Sequence, residues 1–240
     1  MKKRKHELLS EAEREILFGI PTDRDLLARL YSFEPTDIDI IGVRREKRNQ
    51  LGAALQLALL RPPGTPLAQM LQDKREVPAE LLAFVAEQIV VSPTVLSDYA
   101  ARGQTMTDHA RELAAKLGVR GPVRADIPLM IEAAAQAAWP TDKGLIIAAG
   151  VVAGLRQAGI LLPSISTIER AGIAGRARAR KQAATALVAG LSTEQLAQLD
   201  TLFDEVPDHG VSRLTWLKSI PVAVKPDHIR HILERLRFVR

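Results

Sequence analysis

Residues Leu161–Lys181 read LLPSISTIERAGIAGRARARK. Pro163 and Ser164 interrupt the aliphatic run that precedes them. Ser166 and Glu169 then stand three apart, the spacing of a capping box, so a helix is expected to begin at Thr167. From Arg170 to Lys181 the stretch holds five basic residues, Arg170, Arg176, Arg178, Arg180 and Lys181, and no acidic one. At about 100° per residue, Arg170, Arg178, Arg180 and Lys181 share an arc of roughly 160°, and Arg176 falls just outside it. Such a helix offers oriented N–H groups at its start, beside Ser164, Ser166 and Thr167, and cations along its side. Both features suit a phosphate backbone. The plain alternative is a solvated cationic face. Gly172 and Gly175 weaken the helix and Ile173 intrudes on the basic arc, so the rest of the chain must decide.

The chain has 240 residues, enough for one large or two small domains with a real core. Apolar residues make up 47% but aromatics only 4%, and the Leu and Ala that dominate favour helix over sheet. The formal net charge of +5 favours a polyanionic partner. There is no cysteine, which excludes disulfides and thiolate metal sites and fits a reducing compartment. The basic start Met1–Lys5 resembles a signal peptide, but Glu7, Glu11, Glu13 and Glu15 occupy the place of an apolar h-region. The longest apolar segment, Leu145–Leu155, is too short to span a bilayer. A cytoplasmic protein without membrane contact is expected.

Helix signals recur along the chain. Ser10 opens a first helix, Pro21-Thr22-Asp23 a second carrying Leu26, Leu27, Leu30 and Tyr31, and Pro35 a third that ends at Gly42. Val43–Gln50 runs into LGAALQLALL, where Leu51, Leu55 and Leu59 mark one buried stripe. Helix, short turn and helix, with cations at the front of the last, is the plan of a helix-turn-helix reader. Arg44, Arg45, Lys47 and Arg48 supply charge, and Asn49 and Gln50 have amides suited to adenine. A basic solvated turn between packed helices is the competing reading. After a loop of about fifteen residues, Pro78–Ile89 and a helix capped by Ser92-Pro93 lead to Gly103. Thr105 and Asp108 then form a second capping box for a helix over Met106–Leu117. Its possible contacts are Thr105, Thr107, His109 and Arg111, with Asp108 and Glu112 offsetting the charge.

Val119–Asp126 has the turn chemistry of a domain boundary, which divides the chain into modules 1–120 and 121–240. Ile127–Ala138 and Lys143–Ala158 follow as apolar helices with Trp139-Pro140 between them. Ser192 caps TEQLAQLDTLF, Leu214–Leu217 is a short helix, and Pro226 starts a last helix that meets no stop signal. That ending is expected of a chain continuing into something longer. No phosphate-binding, dinucleotide or zinc-protease motif occurs. His228 and His231 beside Asp227 are more simply solvated than metal-bound, and Asp37 and Asp39 point about 200° apart on a helix. No catalytic, metal or cofactor site is expected.

Several segments in order carry a family likeness. They are Gly42–Leu60 with its R-x-x-x-R-x-x-x-G-x-A-L-Q-L rhythm, Leu81–Tyr99 with F-V-A-E-Q and L-x-D-Y, LLPSISTIER…ARAR, LSTEQLAQLD, and SRLTWLKSIP…HILERL. The chain resembles the N-terminal region of the replicative transposases of class II bacterial transposons, the Tn-three family, over nearly its whole length. The resemblance implies an all-α pair of DNA-binding modules, containing helix-turn-helix-like units, that recognise the transposon's terminal inverted repeats in the bacterial nucleoid. It implies homodimerisation through the parent protein. It also implies that the Asp-Asp-Glu carboxylates and their Mg²⁺ lie in a later domain, which no position here matches. The family's helix at Met106–Leu117 is usually richer in arginine. Two alternatives stay open: a free-standing regulator or inhibitor of transposition, and a helical interaction scaffold without DNA affinity.

Overall fold

The computed structural model describes residues 7–100, 103–206, 210–218, 229–230, 232–233 and 236–237. The final helix expected from Pro226, and with it His228 and His231, lies largely outside them. The fold is all-α. In chain order the helices are α1 (Glu11–Phe18), α2 (Arg24–Tyr31), α3 (Pro35–Gly42), α4 (Lys47–Leu60), α5 (Leu67–Gln72), α6 (Ala79–Gln88), α7 (Leu96–Ala100), α8 (Gly103–Lys116), α9 (Ile127–Ala138), α10 (Gly144–Gln157), α11 (Ile165–Val188), α12 (Thr193–Asp200) and α13 (Arg213–Lys218). Between the last two, β1 (Glu205–Val206) pairs antiparallel with β2 (Val211–Ser212). The chain divides into two compact units, residues 1–181 and 182–240, and the division falls inside α11.

Local chemistry sets most helix starts. Ser10 and Glu13 form a capping box at α1, Asp23 accepts from the Asp25 and Leu26 amides at α2, and Pro35 opens α3. Gly118 closes the turn after α8 with φ +67°. Two expected starts move. α8 begins at Gly103, so Thr105 and Asp108 lie inside the helix and form no capping box. α11 begins at Ile165, and the Ser164 hydroxyl accepts from the Thr167 amide at 3.3 Å. Glu169 is thereby released from capping and instead receives the Arg14 guanidinium at 3.0 Å and the Leu9 amide at 3.3 Å.

The first unit holds two hydrophobic cores. The first wraps α4, which is buried without interruption from Leu51 to Leu60. The expected single stripe is therefore too small. LGAALQLALL has no solvent-seeking face, and a helix apolar all round belongs in a core. Each enclosed Leu contributes on the order of 1.5–3 kcal/mol. Gln56, the polar exception, donates to Met106 O at 3.0 Å and accepts from Leu67 N at 3.1 Å, tying α4 to α8 and α5. Residues between α4 and α6, expected as loop, contain α5, whose Leu67 and Met70 enter this core.

The second core is built on α9 and α10. Gly150 lies against Ala137 and Ala133, and Gly154 against Ala133 and Leu129, which makes the two helices antiparallel and closely approached. α11 crosses them with Gly175 seated on the backbone of Ala134 and Ala135. Leu8, Leu9 and Phe18, from the start of the chain, complete this core, while Leu161 enters the first one. The stretch 119–126 lies between the segments that supply the two cores, and it is firmly held. Arg120 N donates to Gly159 O at 2.9 Å, Leu161 N to Arg120 O at 2.8 Å, and Leu162 N to Gly64 O at 2.8 Å. Asp126 takes both nitrogens of Arg120, at 2.8 and 2.6 Å.

In the second unit, a capping box of Ser192 and Gln195 starts α12, which leads through a 3₁₀ turn at Thr201–Phe203 into the hairpin and then α13. Among its described residues none is fully buried. No helix among the described residues is long and apolar enough to cross a membrane.

Candidate nucleic-acid interface

The basic residues expected at the front of α4 divide into two kinds. Arg44 is buried: its guanidinium donates to Ile40 O and pairs with Glu112 of α8 at 3.0 Å, so it joins α3 to α8 inside the protein. Glu46 holds two more members, accepting from Arg48 Nε at 2.8 Å and from Asn49 Nδ2 at 3.1 Å. Gln50 Nε2 donates to Arg44 O at 2.7 Å. Both amides therefore have intramolecular work, and base pairing with adenine requires them to leave it. Arg45 and Lys47 are exposed and, among the described residues, carry no partner. They stand at the positive end of a 14-residue helix, where an anion is favoured and two cations repel the dipole.

α8 packs along α4, which brings the second expected group beside the first. His109 turns inward: its ring stacks on Tyr99 with centroids 5.6 Å apart, and its Nδ1 lies 3.3 Å from the Tyr99 hydroxyl. Burial, then the Arg44 charge, holds the imidazole below its usual value, and burial pushes the Tyr99 phenol up to about 12. The Tyr99 ring rests directly on Gly52 and belongs to the core, with His109 half-buried against it. Thr107 donates to Gly103 O at 3.0 Å, Arg111 pairs with Asp108 at 2.7 Å, and Thr105 is half-buried. Of this group Thr107 and Arg111 are exposed, the Thr107 hydroxyl is bonded within its own helix, and the Arg111 charge is matched.

The third group lies along α11, on the second core. Gly172 and Gly175 do not break this helix; they let it approach Leu8 and α9. At its start, Ser164 bonds to Ser166 and Thr167, and Arg170 folds back onto Ser166 O and Thr167 Oγ1. A cleft of about 720 Å³ beside them mixes Arg14, Lys74, Arg75 and Arg170 with five carboxylates, a poor match for phosphate. Further along, the run free of acidic residues meets acids from elsewhere. Arg178 pairs with Glu132 of α9 and Arg180 with Asp142 of the α9–α10 turn, each at 3.0 Å. All four side chains are about half exposed or more, so each pair is worth at most about 1 kcal/mol and a phosphate can replace the carboxylate. Arg176 lies close enough to lower the Asp142 carboxyl, after the larger effect of Arg180, and Lys181 is exposed without a partner among the described residues.

The structure thus joins the α4 and α8 groups at one corner and keeps the α11 group on the other core. Sequence reading missed Glu46, Glu112, Glu132 and Asp142 as the anions that organise these cations. Glu46 was visible within the run; the others lie 38 to 68 residues from their arginines. Among the described residues no three His, Asp or Glu side chains converge on a metal position.

Comparison with known proteins bears on these surfaces. A family profile, domain of unknown function DUF4158, matches residues 8–175. The chain is 34% identical over 96% of its length to the transposase for transposon Tn501 of Pseudomonas aeruginosa, and 29% identical over 99% to the transposase for transposon Tn1546 of Enterococcus faecium. To the transposase for transposon gamma-delta of Escherichia coli it is 31% identical over 87%. It spans only 23%, 24% and 21% of those proteins, so it matches about a quarter of each. The matched profile covers the first core, all of the second but Ala179, and the front of α11, and with it the chain belongs to the DUF4158 family, in the lineage of the Tn-three-family transposases.

Proposed function

We propose that the chain binds double-stranded DNA at the terminal inverted repeats of a transposon, and that it thereby positions the catalytic part of a replicative transposase. The observation that carries this reading is the pair of exposed cations at the front of α4, Arg45 and Lys47, which have no partner among the described residues, together with the weakly paired row Arg176, Arg178, Arg180 and Lys181 on α11. Two cation groups on two cores support a two-point grip, in which each point raises the effective concentration of the other. Phosphate contact by these groups fixes register. Base reading falls to side chains able to reach out without breaking an internal bond, Arg45 and Lys47 above all.

The test is an anisotropy titration of the chain against a transposon-end duplex and a scrambled duplex at several salt concentrations. With about six to ten phosphates contacted, affinity falls by about 10³–10⁵ between 50 and 200 mM salt, and the end duplex is preferred throughout. Affinity flat across that range would remove the DNA reading and favour a protein-interaction role.

A further inference from the structure

The α9–α10 turn, Trp139-Pro-Thr-Asp-Lys143, holds an indole where a soluble protein seldom leaves one. Trp139 is 59% exposed, although it sits at the C-cap of a helix whose other face is core. The turn is fixed in place. Thr141 Oγ1 accepts from Lys143 N at 3.2 Å, and Gly144 lies so close to the Leu8 backbone that a side chain there would meet its carbonyl carbon at 3.0 Å. Cations share the turn with the ring. Lys143 is exposed at its end, Arg180 reaches it through Asp142, and Arg176 and Lys181 lie near Arg180 on α11. Glu132, Asp142 and Glu169 are the carboxylates on these elements, and each is already engaged by an arginine.

An exposed aromatic set among cations matches the surface of a nucleotide, which presents phosphates flanking an apolar sugar and base. We infer that the α9–α10 turn is a further DNA-contacting element, in which the Trp139 ring packs on the apolar face of a nucleotide while Lys143 and Arg180 hold the flanking phosphates. The inference rests on the DNA reading above and adds to it an element outside the expected groups on α4 and α8, beside the one on α11. Binding exchanges the Asp142–Arg180 pair for an Arg180–phosphate pair, and Asp142 turns to solvent.

The full chain with Trp216→Phe leaves Trp139 as the sole tryptophan and reports on the turn directly. Titration with the transposon-end duplex is expected to quench Trp139 emission and to shield it from iodide. Trp139→Ala weakens binding about tenfold, Trp139→Phe restores most of that loss, and Lys143→Ala lowers the salt slope by about one unit. Since Trp139 is exposed, thermal melting of these variants should stay near that of the parent. Salt-dependent DNA binding with unchanged Trp139 emission and full affinity for Trp139→Ala would overturn the inference and leave the DNA reading standing. So would a concentration-dependent change in emission without DNA, which marks the ring as a protein contact. Absence of any salt-dependent binding by the unsubstituted chain would remove both.

Discussion

Replacing Gly175 by alanine tests how α11 is seated. In an exposed helix interior Gly→Ala stabilises by about 1 kcal/mol. At Gly175 the new methyl would lie 2.7 Å from the Ala135 amide nitrogen and 2.8 Å from the Ala134 carbonyl carbon. Ordinary carbon contacts need 3.5–4.0 Å, so α11 and α9 must separate by roughly 1 Å. The obstacle is backbone, which has no rotamer to change. Overpacking of this kind costs about 1–3 kcal/mol, enough to reverse the propensity gain. Gly172 is the internal control. A methyl there meets the Leu8 Cδ2 tip, then Ile147 Cγ2 and Leu8 Cγ at an ordinary 3.5 and 3.6 Å, and a leucine end can swing aside. Urea melts followed by helical circular dichroism should therefore put Gly175→Ala clearly below the parent and Gly172→Ala within about 1 kcal/mol of it. A Gly175→Ala midpoint at or above the parent's would refute the close crossing of α11 over α9.

Further outcomes follow from single side chains. Gln56→Leu strands the Leu67 amide at the start of α5 and removes the second donor to the Met106 carbonyl, at about 1–3 kcal/mol for the stranded amide, read as a fall in denaturation midpoint. Arg44→Ala should lower stability by leaving the Ile40 carbonyl without its donor and Glu112 with only the longer Lys116 pair at 4.0 Å, with the salt slope of DNA binding unchanged. Arg45→Ala and Lys47→Ala should do the reverse, each reducing the slope by about one unit at constant melting temperature. The Arg120 guanidinium, then the Val123 amide, holds the Asp126 carboxyl down at about 2, against an ordinary 3.8. A depressed carboxylate stabilises the fold above its unfolded value, and that share is lost as pH falls from 3.8 towards 2. Stability measured against pH should therefore show the parent and Asp126→Asn converging across this window.

Much of the helix order was legible because caps are local. Ser10, Asp23, Pro35, Gly118 and Ser192 each act within four residues of where they stand. What escaped depends on distance along the chain. LAQMLQ is too short to show a period, so α5 passed for loop. The Ser166–Glu169 spacing imitates a capping box, but Glu169 answers to Arg14, 155 residues away. The cation groups were legible as composition and illegible as geometry. Nothing near Arg44 announces Glu112, and nothing in the α11 run announces Glu132 or Asp142. The inward turn of His109 needed Tyr99 and Gly52 together, one on each of two other helices.

Leu8, Leu9 and Phe18 belong to a core whose other walls come from residues 130–179. Synthesis delivers the chain from its first residue, and segments generally fold as they emerge. These three side chains leave the ribosome with nowhere to go until α9, α10 and part of α11 have followed. Glu169, which fixes the Leu9 amide and Arg14, arrives later still than α10. Leu161 imposes the same delay from the other direction, since the first core is short of one wall until the second is nearly complete. The first core therefore lacks Leu161, and the second its α9–α11 walls, until translation has passed residue 160. A nascent chain halted near residue 120 would display an apolar start peptide to chaperones, and its release would wait on the helix that bears the arginines.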